Sequence, residues 1–292
     1  MLCLSTEATK DVDSLMIGKR LSALGLMAVF NEEDILDQCL NYHIDQGLQL
    51  LILDNGSTDA SLSIARSYLG HGVLGIRQIP TDTYRWGFLL DTLMEWSEHL
   101  SPSWCLLVDA DTFLEPSQPG KRLLDAIADV EHQGYNTINF DHFEFWPVGD
   151  ERPELIDVRE RLTYYTWADD RQEKAWRSCV GTSNSRLGGH SVDFPAGIIK
   201  RVYPENFVLR HYRIRSYDHG LRKVFRERLP RFCGEPPNWH THYNGFESSR
   251  GYFEIPKHLL TQRIEGAPWN REPNFHGWES KRSRPVSNPP SG

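Results

Sequence analysis

Apolar residues in the first half of the chain fall into short runs separated by segments of helical period. Leu24 to Phe30 is an apolar run that predicts a buried strand. Asn31 is placed to cap a following helix, with Glu32, Glu33 and Asp34 near the positive end of its dipole. Ile35, Leu36, Cys39, Leu40 and Ile44 fall on one face of that helix, and Gly47 is placed to end it. Leu50 to Leu53 predicts a second strand, followed by the polar turn Asp54-Asn55-Gly56-Ser57-Thr58-Asp59 and a helix running to about Leu69. Val73 to Ile79 predicts a third strand, Tyr84 to His99 a helix, and Trp104 to Val108 a fully apolar fourth strand. A helix over Gly120 to Gln133 and a strand over Thr137 to Phe145 complete this half. Strands alternating with helices predict an α/β fold with a mostly parallel sheet covered on both faces. The second half is less regular, with one further helix expected over Ser216 to Leu229, basic on its solvent side.

Composition narrows the function classes. The chain has 292 residues and a net charge of -8, which argues against a broad nucleic-acid-binding surface. Cys3, Cys39, Cys105, Cys179 and Cys233 are odd in number and lack any CxxC spacing, so they read as reduced thiols. No apolar run approaches the roughly 18 to 20 residues that cross a bilayer, and no signal peptide is expected, so a soluble cytoplasmic protein is the expectation. His240-x-His242 and Cys233 lack the second pair that a structural zinc site needs. One domain is expected over residues 21 to 275, between an N-terminal extension (1 to 20) and a disordered tail (276 to 292) rich in Lys, Arg, Ser and Pro.

Three polar clusters follow predicted strands: Asn31-Glu32-Glu33, Asp54-Asn55 and Asp109-Ala110-Asp111. In an open parallel sheet, ligands bind beyond the C-terminal strand edges, so the three converge on one cleft. Two carboxylates within about 4 Å repel by roughly 4 kcal/mol at an effective dielectric of 20. A divalent cation removes that penalty and can grip a second anion such as a diphosphate; oxygen ligands suit Mg or Mn. Neither GxGxxG nor GxxxxGK[ST] follows the first strand, so the metal and basic side chains would hold the phosphates.

The runs Val29-Phe30-Asn31-Glu32-Glu33, Leu53-Asp54-Asn55-Gly56-Ser57-Thr58-Asp59 and Val108-Asp109-Ala110-Asp111 resemble the GT-A glycosyltransferases of family 2. Arg177-Ser178, Gly189-His190 and His211-Tyr212-Arg213-Ile214-Arg215-Ser216, with Lys223 beyond, are similar to later motifs of the same branch. The resemblance implies a single GT-A domain, a Rossmann-like nucleotide-diphospho-sugar transferase fold. Residues 21 to 145 would bind the donor and 146 to 275 would form the acceptor side. It implies that Asn31 or Glu32, with Asp54 and Asn55, hold the nucleobase and ribose of a nucleotide-sugar donor. Asp109 and Asp111 would take the ribose and a Mn or Mg diphosphate, with His211 or His190 completing the metal site. Lys223 and nearby arginines, Arg215 among them, would cover the departing diphosphate. The implied reaction is transfer, with inversion, to a hydroxyl of a glycan or other acceptor. Asp193 is the expected base, with Asp169 and Asp170 behind it.

Two other readings compete. A haloacid-dehalogenase-like phosphatase also places Asp-x-Asp after an apolar strand, but it wants Thr or Val where this chain has Phe113, and a motif near the N-terminus. A non-catalytic carbohydrate-binding protein on the same fold would have little use for both Asp109 and Asp111.

Overall fold

The computed structural model describes residues 21–79, 83–152, 154–185, 187–231 and 245–272. The expected N-terminal extension and disordered tail, together with Cys3, Cys233, His240 and His242, lie outside these residues. The described elements run β1 (Ala23–Val29), α1 (Leu36–Asp45), β2 (Gln49–Asp54), α2 (Ser61–Ser67), β3 (Val73–Gln78), α3 (Trp86–Glu98), β4 (Trp104–Leu107) and β5 (Thr112–Glu115). They continue with α4 (Leu123–His132), β6 (Thr137–Phe145), α5 (Val158–Arg161), β7 (Tyr164–Arg177), β8 (Phe207–His211), α6 (Tyr217–Leu221) and β9 (Thr261–Gln262).

These strands make one sheet in the order β3-β2-β1-β4-β7-β6-β8-β5, with β9 added beside β7. β3, β2, β1 and β4 are parallel throughout. Beyond them β7 runs antiparallel to β4 and β6, while β8 lies parallel to β6 and antiparallel to β5. The fold is a mixed α/β sheet whose β3-β2-β1-β4 half is parallel, as the alternating first half predicts.

Strand alternation sets the two cores. Leu24 and Leu26, Leu51 and Leu53, and Cys105 and Leu107 pack with Leu89, Leu90 and Leu93 of α3. Ala23, Met27 and Val29, with Leu50, Ile52, Trp104 and Leu106, face Leu36, Leu40, Leu123 and Ile127 of α1 and α4. Both faces are covered, and this is why these strands read as continuous apolar runs. A third cluster, with Trp146, Ile214, Val224, Phe246 and Phe253, seats the segment that follows β8.

That segment departs from the expected helix over Ser216 to Leu229. A single α-helical stretch, α6, is capped by the Ser216 side chain on His219 N. It widens into a π-helix over Arg222–Arg228 and tightens to a 3-10 turn at Leu229–Arg231. Its basic residues are not all on a solvated face either. Lys223 and Arg231 are buried, because each has an acceptor on the β1 and β2 loops to meet.

Candidate active site at the ends of the parallel strands

The loops after β1 and β2 are clasped together. Asn31 carries a left-handed backbone (φ 53°), which Asn tolerates better than most residues. Its side-chain oxygen accepts from Thr58 N at 2.8 Å, and Glu32 N donates to Ser61 Oγ at 2.8 Å. Asn31 therefore does not cap α1, which begins at Leu36 after an intervening turn. Its carbonyl reaches across to the second loop, and its amide nitrogen donates to Glu227 Oε1 at 3.1 Å. Asp54 and Asn55 are both 1% exposed. The Asp54 carboxylate accepts from Ser57 N (3.2 Å) and Gln78 Nε2 (3.4 Å), and Arg231 Nη2 donates to the Asn55 carbonyl at 2.9 Å.

Above this clasp sits a buried network of charges. Arg215 donates through Nε and Nη2 to both oxygens of Asp34 (2.7 and 2.6 Å), and through Nη2 to Glu32 Oε2 at 2.6 Å. Lys223 Nζ bridges Glu32 Oε1 at 2.8 Å and Asp111 Oδ2 at 2.7 Å. Arg228 approaches Glu32 Oε1 at 3.6 Å and lies over the Tyr84 ring, while Arg231 lies over Phe30, 3.6 Å from its ring centre. Burial pushes the Asp111 carboxyl up, but Lys223, His211 and Arg215 outweigh it and hold the group well below the usual carboxylate range. Asp34 is likewise lowered against its burial by Arg215.

His211 reaches Asp111 because Asp111 directly precedes β5 and His211 ends β8, and those strands pair with Thr112 opposite His211. His211 Nε2 is 3.4 Å from Asp111 Oδ1. Its Nδ1 is 3.1 Å from His142 Nε2 and 3.7 Å from Glu144 Oε2. Burial depresses the His211 pKa, but the Asp111 and Glu144 carboxylates overcome this and raise it to about 9. Arg213 donates to both oxygens of Glu144.

Asp109 does not share a cation with Asp111. Its Oδ2 accepts from Lys174 Nζ, a side chain 3% exposed, at 2.8 Å. Two groups of three potential metal ligands come within 4.8 Å among the described residues, and neither includes Asp109 or Asp111. Asp109 and Asp111 each meet a different lysine, Lys174 and Lys223, so as placed the two carboxylates present no shared all-oxygen cradle for the expected Mg or Mn. His190 stands apart from Asp111, half exposed, with Nδ1 3.9 Å from Asp170 Oδ2. Asp193 pairs through its backbone with Ser183.

His190 and Asp170 instead line an open cleft of about 550 Å³ with Asn139, Arg171, Glu173, Leu187 and Ser191. A register shift between Asp141 and Phe143, with Asp169 at φ 48°, brings Asp170 Oδ2 to 3.6 Å from His142 Nδ1. Burial raises the Asp170 pKa, but hydrogen bonding and charge from His142 win and hold it ionised. Sequence reasoning passed over Glu144, His142 and Lys174. The signal was present in His142-x-Glu144, an alternating polar pair flanking Phe143, which share one face of the strand.

Residues 26–135 match the sequence profile described as Glycosyl transferase family 2. The match runs from β1 to just past α4 and includes Asn31, Glu32, Asp54, Asn55, Asp109 and Asp111. Over these residues the chain is similar to the glycosyltransferases of family 2. No curated protein matches the sequence. Staphylococcus aureus TarS is similar in structure at 13% identity and a TM-score of 0.41, over 70% of this chain and 40% of that one. TarS 1-349 in complex with UDP has the same identity and score, over 70% and 64%. Glucosyl-3-phosphoglycerate synthase from Mycobacterium tuberculosis, in complex with phosphoglyceric acid, has 16% identity and a TM-score of 0.29, over 42% and 44%. The chain thus spans between 40% and 64% of the lengths of these structures.

Proposed function

We propose that this protein binds a nucleoside-diphosphate sugar at the C-terminal ends of β1, β2 and β4 and transfers the sugar, with inversion, to an acceptor hydroxyl. The single observation behind this reading is the convergence of Arg215, Lys223, Arg228 and Arg231 on that strand edge. They meet Glu32 and Asp111 and the Asp54-Asn55 turn there. A parallel sheet binds ligands at this edge, and a cationic lining suits an anionic leaving group.

Chemistry on this arrangement divides between two faces. On the donor side, Glu32, Asp54 and Asn55 would hold base and ribose, while Lys223 and Arg215 meet the negative charge that grows on the diphosphate as the glycosidic bond breaks. Those cations are already fixed by Glu32, Asp34 and Asp111, so little reorganisation is needed when the charge develops. On the acceptor side, the open cleft presents the ionised Asp170 beside His142 and His190. Asp170 is the base we assign, because it faces an opening, whereas Asp193 lies outside that lining. A carboxylate there would take the acceptor proton as the oxygen attacks the anomeric carbon from the face opposite the leaving diphosphate. The buried Cys39 and Cys105, both free thiols, accord with a cytoplasmic setting.

A panel of UDP, GDP, ADP and CDP, titrated calorimetrically into the purified protein, tests the reading. One or two of these should bind, and Arg215→Met should weaken that binding at least about tenfold. No measurable binding of any of the four would overturn it.

A further inference from the structure

We propose that His142, Glu144 and His211 form a binding site for a zinc-class transition-metal ion, separate from the Asp109-Ala110-Asp111 triplet. The site stands on geometry alone and does not depend on the glycosyltransferase reading. Three atoms face one another: His142 Nε2 and His211 Nδ1 at 3.1 Å, His142 Nε2 and Glu144 Oε2 at 3.4 Å, and His211 Nδ1 and Glu144 Oε2 at 3.7 Å. Ligands held tetrahedrally about 2.0 to 2.1 Å from a zinc ion are about 3.3 to 3.4 Å apart, so the observed triangle has the edges of such a site.

The sequence builds it from three strand positions. His142 and Glu144 are two apart on β6 and share a face, and β8 lies parallel to β6 with His211 opposite Glu144. No loop has to fold for the triangle to form. Two imidazoles and one carboxylate make a donor set that suits zinc.

The outer atoms are arranged as a metal site requires. The ring nitrogen of His142 away from the triangle faces Asp170 Oδ2 at 3.6 Å, and that of His211 faces Asp111 Oδ1 at 3.4 Å. Each histidine therefore has a carboxylate behind it to fix its ring and raise its basicity as a ligand. Glu144 is fixed by the Arg213 guanidinium. The other three-residue group, Glu32, Asp34 and His219, is met by two cations, Arg215 and Lys223, with Arg228 close by, whereas Glu144 meets the single guanidinium of Arg213. Through Asp111 and Asp170 the ion would sit between the donor edge and the open cleft.

The test uses the full-length protein, stripped with chelator and titrated with Zn2+ alone, with Co2+ absorption as a second readout. One ion should bind per chain, and Co2+ should give the visible bands of a four- or five-coordinate nitrogen and oxygen site. His142→Gln and Glu144→Gln are close in size to the native residues, and circular dichroism confirms that each is folded. Each should weaken binding at least about 100-fold, because a ligand is lost rather than its outer partner. The inference is overturned if the wild-type protein binds no Zn2+ stoichiometrically. It is equally overturned if both folded variants bind as tightly as wild type, or if bound Co2+ keeps six-coordinate, weakly absorbing spectra.

Discussion

The Lys223 ammonium lies 2.7 Å from the Asp111 carboxylate, with the two side chains 3% and 10% exposed. The same ammonium holds Glu32 at 2.8 Å, so one cation from the π-helix joins the end of β1 to the start of β5. A buried charge is stable here only because its partner is present.

Losses at the two positions should therefore not add. Lys223→Met leaves Glu32 and Asp111 facing each other with less compensation, and should lower unfolding free energy by about 3 to 5 kcal/mol. Asp111→Asn alone leaves Lys223 with Glu32 and should cost less. The double variant should be more stable than the sum of the single losses implies, by at least about 1 kcal/mol. Urea midpoints of the four proteins measure this coupling. Additive losses would show that the two groups are not paired in solution.

Gly220 lets α6 approach Phe253. A Cβ at this position would lie 2.2 Å from Phe253 Cδ1, and that ring is fully buried in the third cluster. Gly220→Ala should destabilise the protein by about 1 to 3 kcal/mol despite the better helix propensity of alanine. It should also weaken nucleotide binding, because the displaced helix carries Lys223. A variant with unchanged melting temperature would show that the helix packs elsewhere.

His43 sets a pH dependence that has nothing to do with the site. Its Nδ1–H donates to the Cys39 carbonyl at 2.8 Å and its Nε2 accepts from Leu114 N at 3.4 Å, which defines a neutral ring. Burial lowers its pKa to about 4, outweighing the opposing effect of the Cys39 hydrogen bond. Between pH 6.5 and 4 the unfolded chain binds a proton at this histidine that the folded protein refuses, so stability rises with pH across this window. Stability should thus fall on acidification from pH 6.5 toward 4. His43→Leu should show a shallower fall in urea midpoint over the same range, and an identical slope would remove His43 as the cause.

The first half was legible because its physics is local. Buried parallel strands are apolar on both faces, and β6 lies where the apolar pattern predicts, over Thr137–Phe145. The polar clusters after β1, β2 and β4 stand at strand ends, where a parallel sheet opens. The other half hid its strands for a physical reason. β7 reads Tyr-Tyr-Thr-Trp-Ala-Asp-Asp-Arg-Gln-Glu-Lys-Ala-Trp-Arg, and three of its charged positions, Asp170, Glu173 and Lys174, line the cleft or meet Asp109. Lys174 is buried there to meet Asp109, and Gln172 is buried beside His142. β5 and β8 are four and five residues long, too short for alternation to stand out. The role of Lys174 as the partner of Asp109 depends on β7 crossing beside β4, a relationship 65 residues apart in sequence.

The central claim is that the strand-edge crevice cleaves a nucleotide sugar, and turnover tests it most directly. Release of nucleoside diphosphate should be measured with a panel of UDP- and GDP-sugars, for the wild-type protein and for Asp111→Asn. The wild-type protein should release diphosphate from at least one donor, faster when a hydroxyl acceptor is added. Asp111→Asn should slow that release at least about 100-fold, because Lys223 loses one of the two carboxylates that aim it at the leaving group. Full turnover in Asp111→Asn, or no release from any donor by folded wild-type protein, would contradict the account.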